Sequence, residues 1–115
     1  LPSTSETNGI LSKKTFDFLP AGASIVNVGR GNHVLETDLL DAINRGQISG
    51  AVLDVFDEEP LPPHSPLWSH PQIIITPHAA AEATRASKAA HTVQIIKSLI
   101  NGNDGPLRYH PLKGY

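Results

Sequence analysis

Cysteine is absent from the chain, which removes disulfide frameworks, thiolate chemistry and cysteine metal sites. A reducing cytoplasm is compatible with that lack and is the expected location. Basic runs are missing as well: nine Lys and Arg are scattered among eleven Asp and Glu, for a formal charge of −2. Phosphate backbones are held by clustered Lys or Arg, so nucleic acid is not an expected partner. No apolar stretch approaches the roughly 20 residues of a membrane span, and no membrane partner is expected either. The histidines other than His78 (His33, His64, His70, His91 and His110) lack H-x-x-x-H or other zinc spacing, and no metal is expected. A serine nucleophile lacks its G-x-S-x-G elbow. Neither an initiator Met nor a signal peptide is present. The opening Leu1-Pro2-Ser3-Thr4 reads like the interior of a protein, and the expectation is that further sequence precedes it.

What the chain does contain is an ordinary globular composition, 39% hydrophobic and 17% charged over 115 residues. That length supports one modest domain with a real core. Three strand-like apolar runs stand out. Ser24–Val28 leads into Gly29-Arg30-Gly31, Ala51–Phe56 into Asp57-Glu58-Glu59-Pro60, and Ile73–Thr76 into Pro77-His78-Ala79. Between them lie helical patterns. Ser12 is placed as an N-cap with Leu11 and Phe16 as a hydrophobic staple, and Pro20 with Gly22 ends that helix. Glu36-Thr37-Asp38 gives an acidic start to a second helix, lined by Leu39, Leu40 and Ile43 and stopped at Gly46.

Strand and helix alternating at this spacing predict βαβ units with a parallel sheet, covered by helices on both faces because the strand runs are continuously apolar. Five prolines between residues 60 and 71 predict a stiff, extended connector. Beyond the third strand, Ala80–Asn101 reads as a helix with Ala86, Ala89, Val93, Ile96 and Ile100 as one apolar stripe, and Asn103–Tyr115 as an irregular tail.

In open α/β sheets, ligands bind outside the carboxyl ends of the strands, where these three runs deliver a guanidinium, carboxylates and an imidazole. Arg30, between two glycines, either offers a bidentate fork to a carboxylate or phosphate or is a solvated arginine in a tight turn. Gly29-x-Gly31-x-x-Val34 imitates a dinucleotide fingerprint, but Val stands where Gly or Ala is wanted for close helix–strand packing, so it reads as a decoy. Asp54 sits in an apolar strand, where an unpaired carboxylate is costly. It therefore either meets a ligand or caps a nearby backbone group. Glu59 precedes proline, which fixes an extended backbone and can aim its side chain; as part of an acidic loop it can equally be a solvated face. His78 after Pro77 is either a general acid or base tuned by a carboxylate, or a helix-entry residue without a task.

Taken in order, the motifs say more. Leu1-Pro2-x-Thr4-x-x-Thr7-x-Gly9-Ile10, Val26-Asn27-Val28-Gly29-Arg30-Gly31, Leu53-Asp54-Val55-Phe56-x-x-Glu59-Pro60, Pro66-Leu67-Trp68-x-x-Pro71, Thr76-Pro77-His78 and the Gly114-Tyr115 ending follow one another along nearly the whole chain. The sequence resembles the D-isomer-specific 2-hydroxyacid dehydrogenases, and the glyoxylate/hydroxypyruvate reductase group among them. The resemblance implies a fold that is α/β, the second half of a Rossmann-type doubly wound parallel sheet plus a C-terminal helix. It implies that 1–80 is the C-terminal half of the NAD(P)-binding domain and 81–115 a helix and tail returning to a substrate domain.

The implied activity is reduction of a small 2-oxo acid by NADPH or NADH, NADPH being favoured, in a homodimer. Arg30 resembles the arginine that binds the substrate carboxylate, His78 the proton donor, and Glu59 the carboxylate that orients this imidazole and favours its protonated form. Leu1, Pro2, Thr7, Val28, Gly29, Arg30, Asp54, His78, Ala79, Ala80 and Ala81 resemble cofactor contacts, Asp54 toward the nicotinamide carboxamide. The family's glycine-rich pyrophosphate turn, its NAD/NADP-selecting residue and most of its substrate domain are expected before Leu1. The 115 residues alone are then expected to be inactive, with a sheet edge and apolar helix faces uncovered. A non-catalytic, dinucleotide-sensing or protein-contact role, as in related corepressors, is the alternative.

Overall fold

The computed structural model describes residues 1–80 and 83–103, which fall into two units, Leu1–Ala80 and a second from Ala81 onward. In the first unit the order is α1 (Lys13–Phe16), β1 (Ala23–Asn27), a 3-10 turn (Gly31–His33), α2 (Glu36–Asn44), β2 (Ile48–Leu53), a second 3-10 turn (Pro66–Ser69) and β3 (Ile73–Ile75). The strands form one parallel sheet in the order β1-β2-β3. Together with the helices it is the predicted Rossmann-type half.

Register explains why the strand ends matter together. Asn27 lies opposite Leu53, and Leu53 opposite Ile75. All three strands therefore stop at one level, and the segments after them leave from one edge. The ladder continues just past the strands through Asp54 N–H to the Asn27 carbonyl and Thr76 N–H to the Leu53 carbonyl, each 3.0 Å.

The core lies under one face of the sheet. Ile25, Ala51 and Leu53 pack there with Leu39, Ala42 and Ile43 of α2 and with the fully buried Phe16 and Leu67. Side chains alternate along a strand, so Val26 and Ile74 point to the opposite face, where each is 62% exposed. Within the first unit helical cover lies on the α2 face, so of the expected cover on both faces this unit supplies one.

Several boundaries move for physical reasons. β2 begins at Ile48 rather than Ala51, because Ile48 pairs with Ala23 and Gly50 with Ser24. On the other side of β2 the Gln72 carbonyl oxygen can come close only because residue 50 is glycine, since a Cβ there would stand 2.6 Å from it. β2 also ends at Leu53, which leaves Asp54 to Phe56 to the loop. The proline-rich connector holds one turn of 3-10 helix, Pro66–Ser69, capped by Ser65 Oγ accepting from Leu67 N–H at 3.3 Å. α1 is a single turn whose Ser12 N–H donates to Thr15 Oγ1 at 2.8 Å.

In the second unit, α3 spans Arg85–Ile100 rather than Ala80–Asn101, with Thr84 as N-cap accepting from Ser87 N–H at 3.2 Å. Of the expected tail, residues 104–115 lie outside the described residues, as does the expected cofactor contact Ala81.

Candidate active site

The turn after β1 is built around a buried amide. Asn27, only 5% exposed, accepts from Gly29 N–H at 3.1 Å and donates from Nδ2 to the Arg30 carbonyl at 2.9 Å. A buried amide is tolerated only when its hydrogen bonds are made, and here they fold the chain so that Arg30 projects from the sheet edge. The guanidinium is exposed and rests on the Gly29 carbonyl through Nη1 at 2.7 Å. Gly31 is required by contact: a Cβ there would fall 1.8 Å from the carbonyl atoms of Phe56. The Arg30 turn is therefore pressed directly onto the loop after β2.

That loop carries Glu59, whose two oxygens face different partners. Oε1 accepts from Phe56 N–H at 2.9 Å and Oε2 meets Nδ1 of His78 at 2.8 Å. The His78 contact, followed by the Phe56 N–H, holds the Glu59 carboxyl below the usual carboxylate range. Among the described contacts only Nδ1 of the His78 ring is engaged.

His78 is the one non-glycine residue with positive φ among those described, at 52°. A left-handed conformation costs an ordinary residue about 1 kcal/mol or more, so the surroundings must enforce it. Asp54 does so. Its carboxylate, 2% exposed, accepts from Ala79 N–H at 3.0 Å, from Ala80 N–H at 2.9 Å and from the Thr76 hydroxyl. These donors, the Thr76 hydroxyl first, hold the Asp54 carboxyl below its ordinary range. Of the two readings of Asp54, backbone capping is the geometry observed.

Arg30, Glu59 and His78 thus line one crevice of about 380 Å³, with Asn32, Phe56 and Asp57. The other residues expected at a cofactor gather in two places. Pro2 and Thr7 join where the Pro2 carbonyl accepts from Thr7 Oγ1 at 2.8 Å, and Gly29 lies against His33, whose Nε2 is 3.2 Å from that same carbonyl. Asp54, Ala79 and Ala80 form the second cluster. Leu1 and Val28 are 76% and 50% exposed apolar residues. Asn27, Asn32, His33 and Thr76 were not singled out by sequence reasoning. Asn27 carries the same sequence signal as Asp54, a polar residue inside an apolar strand run.

Among the described residues no group of three His, Asp or Glu could hold a metal, and no helix is long and apolar enough to cross a membrane. Residues 1–80 match the family described as D-isomer specific 2-hydroxyacid dehydrogenase, NAD binding domain. The whole chain is similar to a D-isomer specific 2-hydroxyacid dehydrogenase from Xanthobacter autotrophicus Py2, solved with NADPH and MES. Identity is 39% and the TM-score 0.91, over 100% of this chain and 48% of that one. An NADPH-dependent glyoxylate/hydroxypyruvate reductase from Sinorhizobium meliloti, solved with NADP and sulfate, is 35% identical at TM-score 0.87, covering 100% of this chain and 38% of its own. A family protein from Klebsiella pneumoniae 342 is 46% identical at TM-score 0.79, over 92% and 34%. The chain spans less than half the length of each.

Proposed function

The chain belongs to the D-isomer specific 2-hydroxyacid dehydrogenase family, and from that premise we propose that the protein reduces a small 2-oxo acid, such as glyoxylate or hydroxypyruvate, with NADPH or NADH. The observation that carries the reading is the crevice in which Arg30, Glu59 and His78 meet, with the His78–Glu59 pair at 2.8 Å. The NADPH-dependent glyoxylate/hydroxypyruvate reductase among the similar structures supports both the cofactor and these substrates.

The residues present fit the nicotinamide end of such a cofactor. Leu1 and Val28 offer exposed apolar surface beside the sheet edge. Asn32 Oδ1 is a buried acceptor with no hydrogen-bond partner among the described residues, and Asn32 lines the crevice. Leu1, Pro2, Thr7, Val28 and Gly29 would hold the dinucleotide, with Ala79 and Ala80 on the far side. Asp54, its oxygens engaged by Thr76, Ala79 and Ala80, acts by bracing that side. When bound there, the reduced dinucleotide would supply the hydride that the keto carbon needs.

The chain's own groups do the rest. Arg30 takes the substrate carboxylate through its guanidinium fork, which fixes the 2-oxo group in the crevice. His78 donates a proton from Nε2 to the keto oxygen as negative charge develops there, and Glu59 across the ring stabilises the imidazolium before transfer. The products are the 2-hydroxy acid and the oxidised dinucleotide, and His78 regains its proton from water. In the native-length protein, NADPH absorbance should fall on addition of glyoxylate or hydroxypyruvate. It should not fall with glycolaldehyde, which lacks the carboxylate for Arg30. Equal rates with acid and aldehyde, or no oxidation at all, would overturn the proposal.

A further inference from the structure

His33 follows Arg30 by three residues and is only 4% exposed, yet the chemistry above does not use it. A buried imidazole is costly unless its nitrogens are engaged. Nε2 lies 3.2 Å from the Pro2 carbonyl oxygen, across 31 residues of sequence. A carbonyl only accepts, so Nε2 carries the hydrogen. The same oxygen accepts from Thr7 Oγ1 at 2.8 Å, so both of its lone-pair positions are taken. On the other side of the ring, Nδ1 stands 3.3 Å from where a Cβ of Gly29 would be. The imidazole is a wedge between the Leu1–Thr7 segment and the end of β1.

The backbone of the same residue holds the other half of the site. His33 N–H donates to the Arg30 carbonyl at 3.2 Å, beside the Asn27 amide on that oxygen. The His33 carbonyl accepts from Leu11 N–H and the Asn32 carbonyl from Gly9 N–H, both at 2.8 Å. Asn32 Nδ2 reaches Ser3 Oγ at 2.7 Å. One short turn therefore grips Arg30 with its main chain and the opening segment with its side chains.

We infer that His33 is a positioning residue that couples dinucleotide binding to 2-oxo acid binding, because its ring fixes Pro2 while its main chain fixes the turn of Arg30. The inference rests on the proposed function, in which Leu1–Thr7 touches the dinucleotide and Arg30 the acid. A ligand that settles the first segment then settles the guanidinium for the second, and linkage makes the effect reciprocal.

The test is the dissociation constant of NADPH for the native-length protein, read from nucleotide fluorescence with and without saturating oxalate, an unreactive carboxylate. Oxalate should tighten NADPH binding about fivefold or more in the wild type. In His33→Leu that ratio should collapse toward one. His33→Gln, whose longer amide can reach Pro2, should keep it, and the shorter His33→Asn should lose it. A wild-type ratio of one, or a ratio retained in folded His33→Leu or His33→Asn, overturns the inference alone. Failure of the wild type to bind NADPH at all overturns the proposed function together with it.

Discussion

Glu59 and Asp54 are both carboxylates whose ionised form is favoured by the fold, but they act at different removes from the crevice. Glu59 touches the imidazole itself. Replacing it by Gln keeps the shape and removes the charge that stabilises an imidazolium, so glyoxylate reduction should fall roughly 100-fold, read as kcat at saturating NADPH. Asp54 instead holds two backbone N–H groups and a hydroxyl in a site that is 2% exposed. Losing those acceptors leaves three donors unpaired, so Asp54→Ala should unfold at a clearly lower denaturant midpoint than the wild type.

The pH dependence of Asp54 follows from the direction of its shift. Its carboxyl is lowered in the folded protein, so the unfolded chain binds the proton more readily. The stabilisation is full above the unfolded value of about 4 and is lost as pH falls through the folded value. Unfolding midpoints measured from pH 7 down to acid should therefore drop less steeply for Asp54→Asn than for the wild type. An identical acid limb would show that Asp54 does not titrate with folding.

Among the elements, the strands were the most legible part of the sequence, since continuous apolar runs bounded by Gly and Pro leave few alternatives. Their ends were less so. The second strand reads from Ala51, yet it already includes Gly50, where a neighbouring backbone passes so close that only glycine fits. Ala80 reads as the start of a helix, directly after Ala79. Their N–H groups instead go to Asp54, a partner 25 and 26 residues away, and the helix waits for Thr84. Arg30, Glu59 and His78 were legible as strand-end residues, whereas their braces Asn27, Thr76 and His33 depend on contacts that spacing does not reveal. The contact between the first two loops gives an element-scale prediction. Gly31→Ala must push the Arg30 turn off Phe56, which should cost roughly 3 kcal/mol and lower reduction rates together with the thermal midpoint. A variant with wild-type melting and wild-type rate would contradict the packing described.

Across the whole molecule, a parallel register brings together residues separated by 29 and 19 positions along the chain: Arg30, Glu59 and His78. None of them is buried, and each alone is compatible with a solvated loop. Their shared crevice, with family membership behind it, is what supports the proposed roles of carboxylate clamp, charge partner and proton donor. Arg30 is the sharpest probe of that convergence, because it has no part in the packed core. The decisive measurement is kcat/KM for glyoxylate, with saturating NADPH, in the native-length wild type and in Arg30→Ala. A fall of roughly 100-fold or more, the loss expected when a charged pair of hydrogen bonds to the carboxylate is removed, is the predicted result. An unchanged kcat/KM would contradict it.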